Sequence, residues 1–217
     1  MVDATAWRWY AEAVVQPLTV DNVAPGEHVP SADGRVVMSG LSWSQFEAML
    51  TLRGDRSAPR LAYLEGALEL MSPSRHHERI KGLLGHLVGV FAEERQLRVW
   101  SYGAWTLRHD GLATAVEPDD CFLVGDQERD RPDLAIEIEW TRGGIDKLEI
   151  YRRLQVPEVW WWRERQVSIL VLEGGAYVRR TASAVLPGFP MQLAAELIDA
   201  PSLADAMRAF RRALNDG

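Results

Sequence analysis

The sequence predicts a mixed α/β fold of the α+β kind, a central β-sheet flanked by helices, and three observations predict it. The stretch 73–96 carries Ile80, Leu83, Leu84, Leu87, Val88, Val90 and Phe91 on one face of a helix of 3.6-residue period. Short runs with strand character follow it, at 97–101, 105–108, 121–124, 133–140, 159–163, 167–172 and 176–181. A shorter helical pattern at 145–154 falls between two of these runs, so helices and strands interleave along the chain.

The elements follow in order. Residues 1–40 read as an N-terminal extension, because Pro17, Pro25, Gly26, Pro30 and Gly34 break every longer periodicity. Trp7, Trp9 and Tyr10 are expected to anchor it. Ser42 with Gln45 three residues on has the form of a capping box, opening a helix to about residue 52. Residues 60–65 and 67–71 alternate around Gly66 and predict a hairpin. In the long helix, Gly82, Gly85 and Gly89 share a face away from the apolar one. Glycine in a helix costs roughly 1 kcal/mol against alanine, so a groove in which another backbone packs closely is expected there. Ser202 caps a final amphipathic helix over 202–214. The expected domain is therefore 41–190, with a helical segment at 191–217.

Composition narrows the function classes. No apolar run reaches the ~18 residues that span a membrane, and the first residues lack a basic start and an apolar signal core. Cys121 is the only cysteine, which excludes a disulfide within the chain and fits a reducing cytoplasm. The net charge of −7 argues against a strong nonspecific nucleic-acid binder. It leaves room for a nuclease, whose metal ions restore positive charge where phosphate sits. No zinc spacing, phosphate-cradling glycine loop or nucleophile elbow occurs.

The chemistry concentrates in residues 133–139. In a strand, Leu134, Ile136 and Ile138 share the core face, while Asp133, Glu137 and Glu139 share the other. A solvated edge tolerates such a row of like charges, whereas a covered face needs a cation. Glu117-Pro118-Asp119 precedes the run 121–124, and a short connection joins that run to 133–139. Hairpin pairing would bring Asp119 towards Glu137, and two carboxylates at strand ends suit a hard, oxygen-liking ion such as Mg²⁺. Lys147 falls near the middle of the apolar face of the helix 145–154. It either snorkels to water or meets a carboxylate, Glu137 being the candidate. The run Trp160-Trp161-Trp162 invites a base-stacking reading, but alternation on a strand favours packing.

These segments carry a family resemblance. Glu117-Pro118-Asp119, Pro132-Asp133-Leu134-Ala135-Ile136-Glu137, Gly143-Gly144-Ile145-Asp146-Lys147-Leu148-Glu149-Ile150-Tyr151 and Val156-Pro157-Glu158-Val159-Trp160 stand in that order. With Tyr63-Leu64-Glu65-Gly66-Ala67-Leu68-Glu69-Leu70-Met71-Ser72-Pro73-Ser74 and His77-Glu78 upstream, they resemble the Uma-type restriction endonucleases of the PD-(D/E)XK nuclease superfamily. The resemblance implies a restriction-endonuclease-like core. It places the proline–aspartate on Pro118-Asp119 and the acidic position on Glu137. Glu139 stands where the superfamily lysine is expected, and Lys147 is its candidate replacement. His77 and Glu78, at the start of the long helix, are further site candidates.

The expected function is a metal-dependent endonuclease acting on phosphodiester bonds, with DNA as its nucleic-acid partner and Mg²⁺ or Mn²⁺ as cofactor. Asp119, Glu137, Lys147 and His77 are the expected catalytic residues, and Asp119, Glu137, Glu139 and Glu78 the expected metal ligands. A homodimer through the glycine face or the tryptophans, and no membrane association, complete the expectation. Two rivals stay open. One is a catalytically degraded nuclease fold acting as a binding or interaction module; the other is a different metal-dependent hydrolase.

Overall fold

The computed structural model of the chain describes residues 32–127, 129–140 and 143–216. The anchoring expected of Trp7, Trp9 and Tyr10 lies outside them. Among the described residues, eleven strands form two sheets, numbered here in chain order. The smaller sheet has the order β1 (Gly34–Met38), β3 (Ala67–Ser72), β2 (Arg60–Leu64), β6 (Thr114–Val116), β5 (Leu107–His109). The larger has the order β11 (Ala176–Arg180), β10 (Gln166–Glu173), β9 (Glu158–Arg163), β8 (Leu134–Glu139), β7 (Asp120–Val124), β4 (Val99–Ser101). The larger sheet is mixed: β8 and β9 run parallel, and its other pairings are antiparallel. A parallel pair needs a crossover, and here the helix α3 (Lys147–Arg153) supplies it. The mixed α/β class and the flanked central sheet are as the sequence predicts.

The long helix α2 (Arg75–Glu94) starts where Ser74 accepts a hydrogen bond from the His77 N–H. Its apolar face buries Ile80, Leu84, Leu87, Val88 and Phe91 against Leu134, Ile136 and Ile138 of β8 and Trp160 and Trp162 of β9. Each such side chain contributes roughly 1.5–3 kcal/mol on leaving water. The C-terminal helix α5 (Leu203–Asp216) closes the same core with Ala206, Phe210 and Leu214. The opposite faces of β8 and β9 are covered too. Ala135 and Val159 pack with Ile150 and Tyr151 of α3 and with Ala62 and Val116 of the smaller sheet. Strand β8 is therefore sandwiched, which decides how Glu137 must be treated.

The helix α1 (Trp43–Arg53) opens with the expected capping box of Ser42 and Gln45, and Phe46 stacks on Tyr63 beneath it at 5.2 Å. The hairpin β2–β3 turns through Glu65 and Gly66, both at positive φ. Three expectations are corrected. Residues 34–38, read as part of an extension, are an edge strand paired with β3. The helix expected over 145–154 starts at Lys147, with Asp146 as its cap. The glycine face of α2 receives no second backbone. A Cβ at Gly82 or Gly89 would meet nothing within 4 Å, whereas one at Gly85 would come within 2.8 Å of the Asp120 carboxylate. Gly85 thus makes room for a side chain of β7.

Candidate active site

The pairing of β7 with β8 sets Asp120 opposite Ile136, so Asp119 comes opposite Glu137. The Asp119 Oδ2 atom accepts the backbone N–H of Ile138 at 2.6 Å. Both carboxylates are buried, Asp119 at 1% and Glu137 at 2% exposure. A covered acidic face needs cations, and the structure supplies three. Lys147, at the first position of α3, places its Nζ 2.8 Å from Glu137 Oε2. Arg60 of β2 donates to Asp119 Oδ1, and His77 of α2 holds its Nε2 3.0 Å from the same oxygen. The Tyr151 hydroxyl, one turn beyond Lys147, donates to Glu137 Oε1.

Electrostatics follow from these contacts. Burial opposes ionisation of Asp119, but the His77 hydrogen bond and the charges of Lys147, His77 and Arg60 outweigh it and hold its pKa well below the usual range. Glu137 goes the other way. Burial and the nearby Asp119 charge push its pKa up, against the opposing pull of Lys147 and Tyr151. Burial would neutralise Lys147, yet the charges of Glu137, Asp119 and Glu69 keep it a cation with a raised pKa. Burial also works against the His77 cation. Hydrogen bonds to Asp119 and Asp33 overcome this and raise its pKa to about 9. His77 therefore carries two N–H groups at neutral pH, one towards each aspartate, with Nδ1 3.2 Å from Asp33 Oδ2.

The remaining expected residues are each engaged with other protein groups. Glu78 is separated from Asp119 by Arg60, whose Nη2 bonds Glu78 Oε1 at 2.7 Å, and it also pairs with Lys81. Glu139 accepts the Trp161 indole N–H at 2.9 Å, with Arg163 at 3.7 Å. His77 is fully buried and bridges Asp119 and Asp33. Among the described residues, no group of three His, Cys, Asp or Glu side chains is placed to hold an ion. Of the four acids expected as ligands, Asp119 and Glu137 are the two that face each other across β7 and β8. That pair still fits Mg²⁺, which takes one or two carboxylates and completes its shell with water and phosphate oxygens. A carboxylate has about four acceptor positions. Asp119 Oδ2 and both Glu137 oxygens are each given one protein donor, so lone pairs remain on all three.

A cleft of about 460 Å³ opens onto this chemistry, lined by Glu137, Lys147, Glu69, Glu139, Trp161 and Arg163 among others. Its wall includes a clamp built by Glu69 and Arg35. Glu69 of β3 is buried and accepts the Ile145 N–H at 3.1 Å, while Arg35 of β1 pairs with Glu69 and donates to the Gly143 carbonyl. Between them sits Gly144, at φ +104°, with its Cα against the Glu69 carboxylate. The clamp fixes the chain just before Lys147.

The family described as "Uma2: Putative restriction endonuclease" matches residues 43–198, a span that holds Arg60, His77, Asp119, Glu137, Lys147 and Tyr151. The chain belongs to this family. A solved structure from Anabaena variabilis ATCC 29413, titled a "putative nuclease belonging to DUF820", is similar at 15% identity with a TM-score of 0.44; the match covers 74% of this chain and 96% of that one. No curated protein matches. Within this Uma2 member, the motif acids divide by role. Glu117 is a structural tie that accepts the Leu61 N–H and the Thr106 hydroxyl and pairs with Arg53. Glu158 likewise anchors the segment 183–185 through Ser183 and two backbone N–H groups. Cys121 is buried, its thiol pushed up to about 12 by burial, which suits packing and not nucleophilic work. No described helix is long and apolar enough to cross a membrane.

Proposed function

We propose that this chain is a Mg²⁺-dependent endonuclease that hydrolyses phosphodiester bonds of DNA. One observation carries the reading: a buried lysine–glutamate pair beside a second carboxylate, at a cleft, in a member of a restriction endonuclease family. Asp119 and Glu137 would hold the ion. When bound, Mg²⁺ (or Mn²⁺) lowers the pKa of the attacking water and neutralises charge that builds on the phosphate oxygens. The protein's own groups do the rest. Arg60 and His77 keep Asp119 ionised and fix its rotamer. Tyr151 and Lys147 hold Glu137 at its two oxygens. The Lys147 ammonium has three donors and gives one to Glu137, which leaves protons for a phosphate oxygen or the attacking water.

The test is cleavage of a supercoiled plasmid with Mg²⁺ and with chelator, for the wild type, Asp119→Asn and Glu137→Gln. Metal-dependent cleavage that disappears in both folded variants is the expected result. Cleavage at the wild-type rate by both variants would remove the assignment. One observation favours a second reading: every oxygen of the carboxylate pair already accepts a protein donor, so the site is charge-compensated without an ion. In that reading the chain is a catalytically degraded module, and DNA binding without cleavage at any metal concentration is its signature.

A further inference from the structure

The cleft has a second wall, the face of the larger sheet that carries Glu137. Cross-strand partners share a face, and the register places Glu137 beside Trp161 and Trp161 beside Ser168. This makes one row across β8, β9 and β10. Arg163 stands beside Glu139 in the row on one side of it. Arg179 stands beside Leu170, itself opposite Val159, in the row on the other side. Neighbouring strands are about 4.8 Å apart and rows about 6.6 Å apart. The two arginines therefore bracket the Glu137 row, Arg163 one strand from it and Arg179 three strands away.

Their charges differ from the others in the cleft. Arg35 is committed to Glu69 and the Gly143 carbonyl, and Lys147 to Glu137. Arg163 faces Glu139 only at 3.7 Å, with its side chain 46% exposed. Arg179 is exposed and has no carboxylate partner among the described residues. Both line the same cleft as Glu137 and Lys147. In a protein with a net charge of −7, these two exposed guanidinium groups, one without a carboxylate partner among the described residues and one only loosely paired with Glu139, are the cleft cations most available to an anion.

We propose that Arg163 and Arg179 hold backbone phosphates on either side of the phosphate presented to Glu137 and Lys147. The cleft edge from Arg163 on β9 to Arg179 on β11 is then a track for a polymeric phosphodiester backbone, and the substrate class is a nucleic-acid chain that continues in both directions, not a mononucleotide or a terminal phosphate. This rests on the nuclease reading above for the central phosphate, but the track itself is tested without cleavage.

Binding of a fluorescent DNA duplex of 20 base pairs is measured with chelator present, from 50 to 200 mM salt. The full-length wild type is compared with Arg163→Ala, Arg179→Ala and a control, Arg98→Ala, beside β4 at the opposite edge of the sheet. Each track variant should bind several-fold more weakly and lower the log K against log salt slope by about 0.9, the value for one duplex phosphate contact. Arg98→Ala should keep the wild-type slope, and Arg179→Lys should restore it, because either cation releases counterions. Unchanged slopes in both track variants, or an equal drop in Arg98→Ala, would overturn the proposal. A track that passes while no duplex is ever cut would refute the nuclease reading and leave the track standing.

Discussion

At the scale of residues, the site is a problem of buried charge solved by pairing. Glu137 could not stay ionised on a strand covered on both faces without a partner, and Lys147 meets that need at 2.8 Å. This much was legible in the sequence: strict alternation placed Glu137 off the core face, and the helical period placed Lys147 on a packing face. Arg60 and Tyr151 were not legible. Arg60 reads as an ordinary strand terminus, and Tyr151 as an apolar-face aromatic, until the fold brings each to a carboxylate. His77 illustrates the same limit, since only its two aspartate partners make it a cation. Its pKa lies above that of the unfolded chain, so the protonated folded form is favoured. The stabilisation is complete below about pH 6.5, the unfolded value, and is lost as pH rises through about 9. It amounts to about 3 kcal/mol for this fully buried ring. His77→Gln should lose stability near pH 6 and flatten the decline towards pH 9, read by urea unfolding across that range. An unchanged decline in the variant would assign it to other groups.

At the scale of elements, what positions Lys147 is the turn before α3 as much as α3 itself. Gly144 lies at φ +104°, and a Cβ there would run into the Glu69 carboxylate. A side chain would be strained in backbone and in space. Gly144→Ala should therefore displace the segment 143–145 and Lys147 with it. The expected outcome is a fall in kcat for plasmid cleavage at a melting temperature lowered by only a few degrees, which separates misplacement from unfolding. Retained kcat would mean that the clamp of Arg35 and Glu69 does not set the lysine. The longer elements were legible because α2, β8 and the β2–β3 hairpin carry strong periods or turn signals. β1 and β6 were not, because β1 sits among prolines and glycines that read as extension and the three residues of β6 lie between Gly111 and Pro118, where no alternation stands out. The glycines of α2 misled for a related reason: sequence shows a smooth face, not what approaches it.

At the scale of the molecule, two sheets meet through an apolar cluster and a polar seam, the seam formed where Arg60 of the smaller sheet reaches Asp119 beside β7 of the larger. The family match ends at residue 198, yet α5 beyond it closes the principal core: Phe210 is fully buried and packs against Phe189, which in turn meets Phe91 of α2. Phe210→Ala should cost about 3–5 kcal/mol, seen as a lower midpoint in urea with an unchanged slope. A loss below about 1 kcal/mol would show α5 to be an appendage. The whole depends on whether the Asp119–Glu137 pair, so thoroughly compensated by protein donors, takes an ion. Crystals soaked in Mn²⁺ and measured for anomalous scattering answer this directly. A single peak shared by Asp119 and Glu137, absent in Asp119→Asn, is the predicted result. No peak between them at millimolar Mn²⁺, with Arg60 and Lys147 still in place, would contradict the account.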